Sequence, residues 1–152
     1  MDNIIFKKAT LNDISEFIEL RKNQLLEEGA VPTDDISIPL RKYFERTIAD
    51  GSFVSWLAIC NGKIIATSGM SFSQRPPYYS NISGYVGTLS CMYTLKEYRR
   101  KGIAKKLLGL VVNEAKKYGC GMVQITASNM GMLLYKDFGF EGNNNFMQYK
   151  IK

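Results

Sequence analysis

The chain has 152 residues, of which 45% are hydrophobic, so its length and composition fit one packed globular domain over residues 1–152. It has no histidine and only three, widely spaced cysteines, which excludes Ser-His-Asp and Cys-His catalysis and argues against a metal site or a disulfide framework. Because it has no apolar run long enough to span a membrane and no signal-peptide pattern, we expect a cytoplasmic protein, and its net charge of +6 favours an anionic ligand.

The first half of the chain carries clear start and stop signals for helices and strands. Thr10, with Asp13 three residues later, forms an imperfect capping box at the start of a helix. Asn61-Gly62 is a strong signal for a two-residue hairpin between two strands. In chain order we predict a strand at 4–8, a helix that ends at 29–32, a helix at about 37–50, and strands at 53–60 and 63–71.

The second half alternates strands with helices. Two prolines within residues 74–80 interrupt any strand ladder, so this stretch is predicted to be a loop. The overall order of elements is β-α-α-β-β-β-α-β-α-β, and another short strand fits around Phe140. We predict a strand at 84–93, a helix at 102–118, a strand at 122–126, a short helix at 129–137 and a final strand at 146–151.

Cations and a glycine are concentrated where the strand at 84–93 meets the next helix. Residues 93–104 read Tyr-Thr-Leu-Lys-Glu-Tyr-Arg-Arg-Lys-Gly-Ile-Ala, and five of the 20 cations lie between Arg99 and Lys106. Gly102 has no Cβ, so a ligand can approach the backbone closely there. The first amides of a helix have no internal partner and carry the positive end of its dipole. This combination suits a pyrophosphate.

This stretch and a later block resemble the GNAT superfamily of acyl-CoA-dependent N-acetyltransferases. The family signature, Gln/Arg-x-x-Gly-x-Gly/Ala, is matched by Arg-Arg-Lys-Gly-Ile-Ala at residues 99–104, and a second family block matches residues 127–140. The resemblance implies an α/β fold with a central, mixed, largely antiparallel sheet of six to seven strands, flanked by four helices. The sheet would be splayed at strands 4 and 5, here residues 84–93 and 122–126, with acyl-CoA in the gap.

The resemblance implies acetyl-CoA as the acyl-donor cosubstrate and no metal. Its pyrophosphate would lie on the backbone amides of residues 100–105, and Arg99 would orient this turn or touch phosphate. Backbone groups of Met92 and Thr94 would pair with the pantetheine arm as an added strand does, and a backbone donor of the same strand would contact the oxyanion. The implied cofactor-binding residues are Met92, Tyr93, Thr94, Arg99, Arg100, Lys101, Gly102, Ile103, Ala104, Lys105, Ser128, Asn129 and Gly131.

The second block supplies the candidate catalytic residue, Tyr135. A phenol with an ordinary pKa of about 10 is protonated at neutral pH and can donate a proton to the leaving thiolate. The alternative is that Tyr135 is a core aromatic on the buried face of its helix. Ser128 either bonds the pantetheine arm or caps the helix, and Gly131 either admits the cofactor or allows tight packing.

A general base is harder to assign. Some family members place a glutamate where this chain has Thr88, and no Asp or Glu lies between Ser52 and Leu95. Glutamates of the first two helices (Glu27, Glu28 and Glu45) could line the acceptor side, although each fits a solvated helix position better. Cys91 has no histidine to activate it, so we expect a small buried side chain there and no covalent catalysis.

The acceptor pocket is expected between the first two helices and the loop at 74–80, with Arg75, Tyr78 and Tyr79 as substrate-binding residues. The function indicated is transfer of an acetyl group from acetyl-CoA to a primary amine of a small molecule or peptide, by direct attack in a ternary complex. No membrane partner is expected, and a homodimer is compatible with the resemblance because dimers are common in the family.

Two other functions remain open. The missing carboxylate at Thr88 would suit a non-catalytic acyl-CoA-binding sensor. The net charge and the cations at residues 99–101 would suit a nucleic-acid-binding module. Against the second, the cations cluster at one glycine turn and the sequence has no nucleic-acid motif, so a nucleic-acid partner is not expected.

Overall fold

The computed structural model describes residues 3–128, 130–142 and 145–151, which contain one six-stranded sheet and four α-helices. None of the helices in these ranges is long and apolar enough to cross a membrane. The strands are β1 (Ile4–Lys8), β2 (Phe53–Val54), β3 (Trp56–Cys60), β4 (Lys63–Gln74), β5 (Tyr85–Thr94) and β6 (Met122–Gln124). The helices are α1 (Ile14–Glu27), α2 (Ser37–Asp50), α3 (Ile103–Tyr118) and α4 (Met132–Phe138).

The sheet has the order β1-β3-β4-β5-β6, and the short β2 pairs with β4. All neighbouring strands are antiparallel except β5 and β6, which are parallel. The turn between β3 and β4 has positive φ at Asn61 (51°) and Gly62 (76°). These angles match the two-residue hairpin that the sequence predicts, because such turns need left-handed backbone at both positions.

Helices cover both faces of the sheet because the side chains of each strand alternate between them. On one face, Ile64 packs with Phe17 of α1 and Phe44 of α2. On the other face, the next residue, Ile65, packs with Leu107 of α3. The second face also receives α4, whose Tyr135 belongs to the same buried cluster as Leu108 and Met70. The sheet is therefore the middle layer of three.

Most predicted elements are confirmed with shifted ends, and three details differ. The strand predicted at 53–60 is interrupted at Ser55 and forms two strands, β2 and β3. The strands predicted as the fourth and fifth, at 84–93 and 122–126, are therefore β5 and β6 in the structure. The strand predicted to end at residue 71 continues to Gln74. The final strand predicted at 146–151 and the short strand around Phe140 do not form, since neither stretch has a ladder partner within the part of the chain that the structure describes.

Candidate functional site

The sheet opens where β5 and β6 separate. Their pairing covers only three residues of β5, from Val86 to Thr88. Beyond Thr88, β5 continues to Thr94 with β4 on one side, and β6 has ended. This divergence is the splay that the resemblance implies between these two strands.

A β-bulge distorts β5 within the splayed part. Ser90 pairs with Gly69 and Tyr93 pairs with Thr67, so two residues of β5 face one residue of β4. One of the two, Cys91, has a φ of 57°, which is unusual for a residue with a side chain. Bulges of this kind bend a strand and end its regular pairing, so the bulge directs the end of β5 away from β6.

Side chains from two elements hold the bulge in place. The Thr67 hydroxyl donates to the Cys91 carbonyl at 2.7 Å inside the core. Gln24 of α1 is buried, and its Nε2 donates to the Met92 carbonyl at 3.3 Å. The Gln24 Oε1 accepts a bond from Arg21 at 3.0 Å. The sequence analysis did not identify Gln24. It could have been found as a polar side chain on the helix face that is otherwise formed by apolar residues.

A cleft of about 1040 Å³ lies at this opening. Its walls come from the end of α1, the end of β5, the turn into α3 and the region of α4. Most of the predicted site residues line it: Met92, Tyr93, Thr94, Arg99, Arg100, Gly102, Ile103, Ala104, Lys105, Ser128, Gly131 and Tyr135. Lys101 does not line the cleft, and its Nζ lies 5.4 Å from the ring centroid of Tyr98. Asn129 lies outside the described residues.

The turn into α3 presents open backbone amides to the cleft. Arg100 and Gly102 both adopt left-handed backbone, with φ of 62° and 81°. The amide of Lys106 donates to the Gly102 carbonyl at 3.1 Å, so the amides of the preceding first turn have no partner within the helix. A Cβ at Gly102 would meet no atom within 4 Å. The turn therefore provides a positively charged, open cradle for an anion.

Arg99 connects this turn to β5 and α1. Its Nε donates to the Thr94 carbonyl at 2.8 Å, and its Nη2 lies 3.2 Å from both carboxylate oxygens of Glu27. Its guanidinium also lies over the Tyr93 ring, 5.7 Å from the centroid. These contacts link the turn to β5 and to α1.

Glu27, Tyr93 and Arg99 form one coupled group at the cleft wall. A hydrogen bond from the Tyr93 hydroxyl, and next the bond and charge of Arg99, hold the pKa of Glu27 below its usual value. Burial, and next the bond to Glu27, raise the pKa of Tyr93 to about 12. Glu27 is therefore ionised and Tyr93 protonated at neutral pH, which stabilises the contact between α1 and β5.

Tyr135 both packs in the core and lines the cleft. It is 6% exposed, and its ring centroid lies 5.7 Å from that of Phe140 in an edge-on arrangement. A Cβ at Gly131 would lie 2.6 Å from Cε2 of Tyr135, so the glycine leaves room for this ring. No described group bonds the Tyr135 hydroxyl. Burial, and next the charge of Glu28, raise the pKa of Tyr135 to about 12, which keeps the phenol protonated.

The glutamates of the first two helices separate into cleft and surface residues. Glu27 and Glu28 line the cleft, whereas Glu45 is exposed on α2 and lies 3.8 Å from Arg41. Glu28 accepts a hydrogen bond from Gln24 at 3.2 Å, and its charge acts on both Tyr135 and Cys91. Thr88 is exposed on β5 outside the cleft lining. Glu28 therefore shares the cleft with Tyr135, and Gln24 connects it to the bulge.

Cys91 lies at the bulge but is poorly suited to attack a substrate. It is 5% exposed, and burial is the main cause that raises the pKa of its thiol. A buried neutral thiol is a weak nucleophile. All three cysteines are free, and no cluster of potential metal ligands occurs among residues 3–128, 130–142 and 145–151.

The predicted acceptor residues Arg75, Tyr78 and Tyr79 do not line the cleft. They lie in the loop between β4 and β5, and that loop is attached to the turn after α3: the Ser83 hydroxyl donates to the Gly119 carbonyl at 3.0 Å. The loop precedes β5, while the cleft lies at the far end of that strand, roughly 30 Å along its length. The structure does not bring these three residues together with Tyr135.

Comparisons with known proteins agree with this geometry. The family model for the acetyltransferase (GNAT) family matches residues 16–140. A search of curated proteins gives no match. A predicted acetyltransferase from Clostridium acetobutylicum, solved with acetyl-CoA, is 36% identical, with a TM-score of 0.94 over 97% of this chain and 96% of that chain.

Two less similar structures share the fold alone. A GCN5-related N-acetyltransferase from Ralstonia eutropha is 20% identical, with a TM-score of 0.89 over 97% of this chain and 99% of that one. An aminoglycoside N-acetyltransferase in complex with CoA is 19% identical, with a TM-score of 0.80 over 100% of this chain and 97% of that one. The chain therefore belongs to the acetyltransferase (GNAT) family, and this membership supports acyl transfer as its general chemistry.

Proposed function

We propose that the protein transfers an acetyl group from acetyl-CoA to a primary amine of a small molecule or peptide, by direct attack in a ternary complex. The observation that carries this proposal is the joint presence, in one cleft, of an open basic helix start at Gly102 and a protonated phenol at Tyr135. The similar Clostridium acetyltransferase was solved with acetyl-CoA, which supports the same donor here.

The cofactor would lie between the turn into α3 and the end of β5. Its pyrophosphate would accept bonds from the open amides around Gly102, with the cations of Arg100 and Lys105 nearby. Its pantetheine arm would run along Met92 and Thr94 in the gap left by β6. The carbonyls of these two residues already accept bonds from Gln24 and Arg99, so these side chains would hold the strand edge in position for the ligand.

The reaction needs an attacking amine, a stabilised oxyanion and a protonated leaving thiolate. The neutral amine nitrogen forms a bond to the thioester carbonyl carbon, and the resulting oxyanion takes a hydrogen bond from a backbone amide of β5. The carbon–sulfur bond then breaks, and the Tyr135 hydroxyl donates its proton to the thiolate. The amine loses one proton, and the phenolate regains one from solvent, which restores the enzyme.

Glu28 would receive the amine proton, directly or through water. It is the cleft glutamate whose charge reaches Tyr135 and the bulge at Cys91, while Glu27 is already bound to Arg99 and Tyr93. A carboxylate at this position would also attract a cationic amine before attack. Arg75, Tyr78 and Tyr79 would then take part only if the acceptor is long enough to extend from the cleft to their loop.

Glu28→Gln is expected to lower kcat/KM by about tenfold. The effect is below the roughly 10²-fold lower end for general base catalysis, because Glu28 is exposed and water can also accept the proton. The measurement is the pH profile of acetyl transfer, in which the variant should regain rate as rising pH deprotonates the amine. Glu45→Gln on α2 is the matched control and should leave the profile unchanged. Identical profiles for wild type and Glu28→Gln would remove Glu28 from the mechanism.

The proposed activity itself is tested by thiol release from acetyl-CoA over a panel of small amines and peptide amino termini. We expect release that depends on an acceptor and is about 10²-fold slower in Tyr135→Phe. Saturable acetyl-CoA binding without turnover on a broad panel would favour the sensor function instead. Binding to nucleic acid that weakens steeply with salt and ignores acetyl-CoA would favour the third function.

A further inference from the structure

Arg21 is a partly buried cation of α1 whose charge reaches the bulge of β5. Burial is the main cause that raises the pKa of the Cys91 thiol, and Arg21 is the strongest influence that lowers it. Among the described residues, the Arg21 Nη1 donates to the Gln24 Oε1 at 3.0 Å, and its guanidinium forms no ion pair. Partly buried arginines usually have an anionic partner. Arg21 therefore has donors available for an anion from outside the chain.

The strands next to α1 bring no negative charge that could pair with Arg21. Residues 53–94, which contain β2 to β5, have no Asp or Glu. The face of the sheet that α1 and α2 cover has hydroxyl groups instead. Ser71 lies opposite Thr88 on the neighbouring strand, and its Oγ is 2.9 Å from the hydroxyl of Tyr43 on α2. An anion bound at Arg21 would therefore meet no like charge from these strands.

Arg21, Gln24 and Glu28 form a row along α1. Their spacing of three and four residues places them on one face of the helix. The Gln24 Oε1 accepts the bond from Arg21, and its Nε2 donates to the Glu28 Oε2 at 3.2 Å and to the Met92 carbonyl at 3.3 Å. Gln24 and Glu28 line the cleft. A single amide group thus separates a guanidinium from a carboxylate, directly beside the bulge.

We propose that the acceptor is a small primary amine with a carboxylate close to the amino group, as in an amino acid, and that Glu28 binds the amino group while Arg21 binds the carboxylate. A guanidinium can hold a carboxylate through two parallel hydrogen bonds. The amide of Gln24 sets a separation between the two charges that a small zwitterion can span. This inference rests on the proposed acetyl transfer and names the class of its acceptor.

The zwitterion fits the proposed reaction without a further group. Its ammonium loses one proton to solvent, and the neutral nitrogen attacks the thioester carbon. The nitrogen loses its second proton through Glu28 as the carbon–sulfur bond breaks, and Tyr135 protonates the thiolate. The carboxylate stays on Arg21 throughout. A diamine fits the row less well, because its second cation would lie beside Arg21 while Glu27 is already bound to Arg99.

Paired acceptors test the role of the carboxylate. Each common amino acid is compared with its own amide, at saturating acetyl-CoA, by thiol release. For the best acceptor, we expect kcat/KM of the amino acid to exceed that of the amide by about 30-fold, mainly through KM, the lower end for losing one partner of a hydrogen-bonded charge pair. Equal values, or a preference for amides or diamines, would overturn this inference and leave acetyl transfer standing. No turnover of any amine would overturn both.

Variants of Arg21 assign the effect to this side chain. Arg21→Gln should raise the KM of the amino acid to that of the amide, and leave the KM of the amide and the stabilisation by acetyl-CoA unchanged. Arg21→Lys should restore part of the difference, since lysine keeps the charge without the planar fork. Arg41→Gln is the matched control: Arg41 is exposed on α2, donates to the Ser15 hydroxyl at 2.8 Å, and should affect neither KM.

The difference between the two acceptors also separates binding from packing. If Arg21→Gln weakens the amino acid and the amide equally, Arg21 only supports the fold, and the inference is wrong. If Arg21→Gln does not fold, the preference of the wild type for the free carboxylate still decides, because it requires no variant.

Discussion

Gly102→Glu is expected to remove most of the stabilisation of this protein by acetyl-CoA. At 100 times its dissociation constant the ligand should add about 2.7 kcal/mol to the free energy of unfolding of the wild type. A glutamate at Gly102 would project into the open space of the turn and place a negative charge beside the pyrophosphate. Like charges at this range cost several kcal/mol, so affinity should fall by at least about 100-fold.

A matched glycine separates this effect from backbone strain. Gly51 ends α2 with φ 80° and ψ 4°, nearly the angles of Gly102, which are 81° and 6°. A Cβ at Gly51 also meets no atom within 4 Å. Both variants should lose roughly 1–2 kcal/mol of stability without ligand. Thermal unfolding with and without acetyl-CoA should show the ligand effect intact in Gly51→Glu. An intact ligand effect in Gly102→Glu would mean that the cofactor lies elsewhere.

Tyr135→Phe is expected to lower kcat by about 10²-fold and to leave the affinity for acetyl-CoA nearly unchanged. The variant loses only the proton donor to the leaving thiolate, and the ring keeps its packing. Because the pKa of Tyr135 is raised to about 12, the wild-type phenol stays protonated up to about pH 10. Ionisation of Tyr135 should therefore cause no loss of rate between pH 7 and pH 10, which a pH profile of kcat measures.

Two further variants distinguish donation from packing. Gly131→Ala keeps the hydroxyl but places a Cβ 2.6 Å from the Tyr135 ring, so the ring must move. It should lower kcat as Tyr135→Phe does. Tyr118→Phe removes a hydroxyl from an aromatic residue stacked on Phe72, outside the cleft lining, and should change nothing. If Tyr135→Phe lowers affinity and rate equally, Tyr135 is a packing residue and another group protonates the thiolate.

Glycine positions show how far local sequence signals reach. The turn at Asn61-Gly62 and the helix start at Gly102 were predicted from residue type, and both have the left-handed backbone that glycine favours. The same logic did not find Cys91, which has positive φ without being glycine. Its conformation depends on the Thr67 hydroxyl, which bonds its carbonyl from a neighbouring strand. Thr67 is 24 positions away in the sequence, so the residues next to Cys91 do not indicate this contact.

The final strand predicted at 146–151 shows that a local pattern can also predict an element that does not form. Its alternation of apolar and polar side chains predicts a strand, and the described residues form none. Alternation reports which side chains would share a face, but a strand also needs backbone partners. Those partners must come from another part of the sheet or from another chain. The period of the side chains does not show which strand, if any, provides them.

The sequence alone predicted most of the order of helices and strands and a candidate anion-binding turn at Gly102, because each depends on residues within a few positions of one another. The resemblance of residues 127–140 to the family block supplied the candidate acid Tyr135. Only the tertiary structure decided that Arg99 contacts Glu27, 72 residues away, and that Gln24 bonds Met92, 68 residues away. It also decided that Glu28 lines the same cleft as Tyr135, while the loop with Tyr78 lies outside that cleft. Such contacts follow from how whole elements pack, and that packing is set by the core rather than by local sequence.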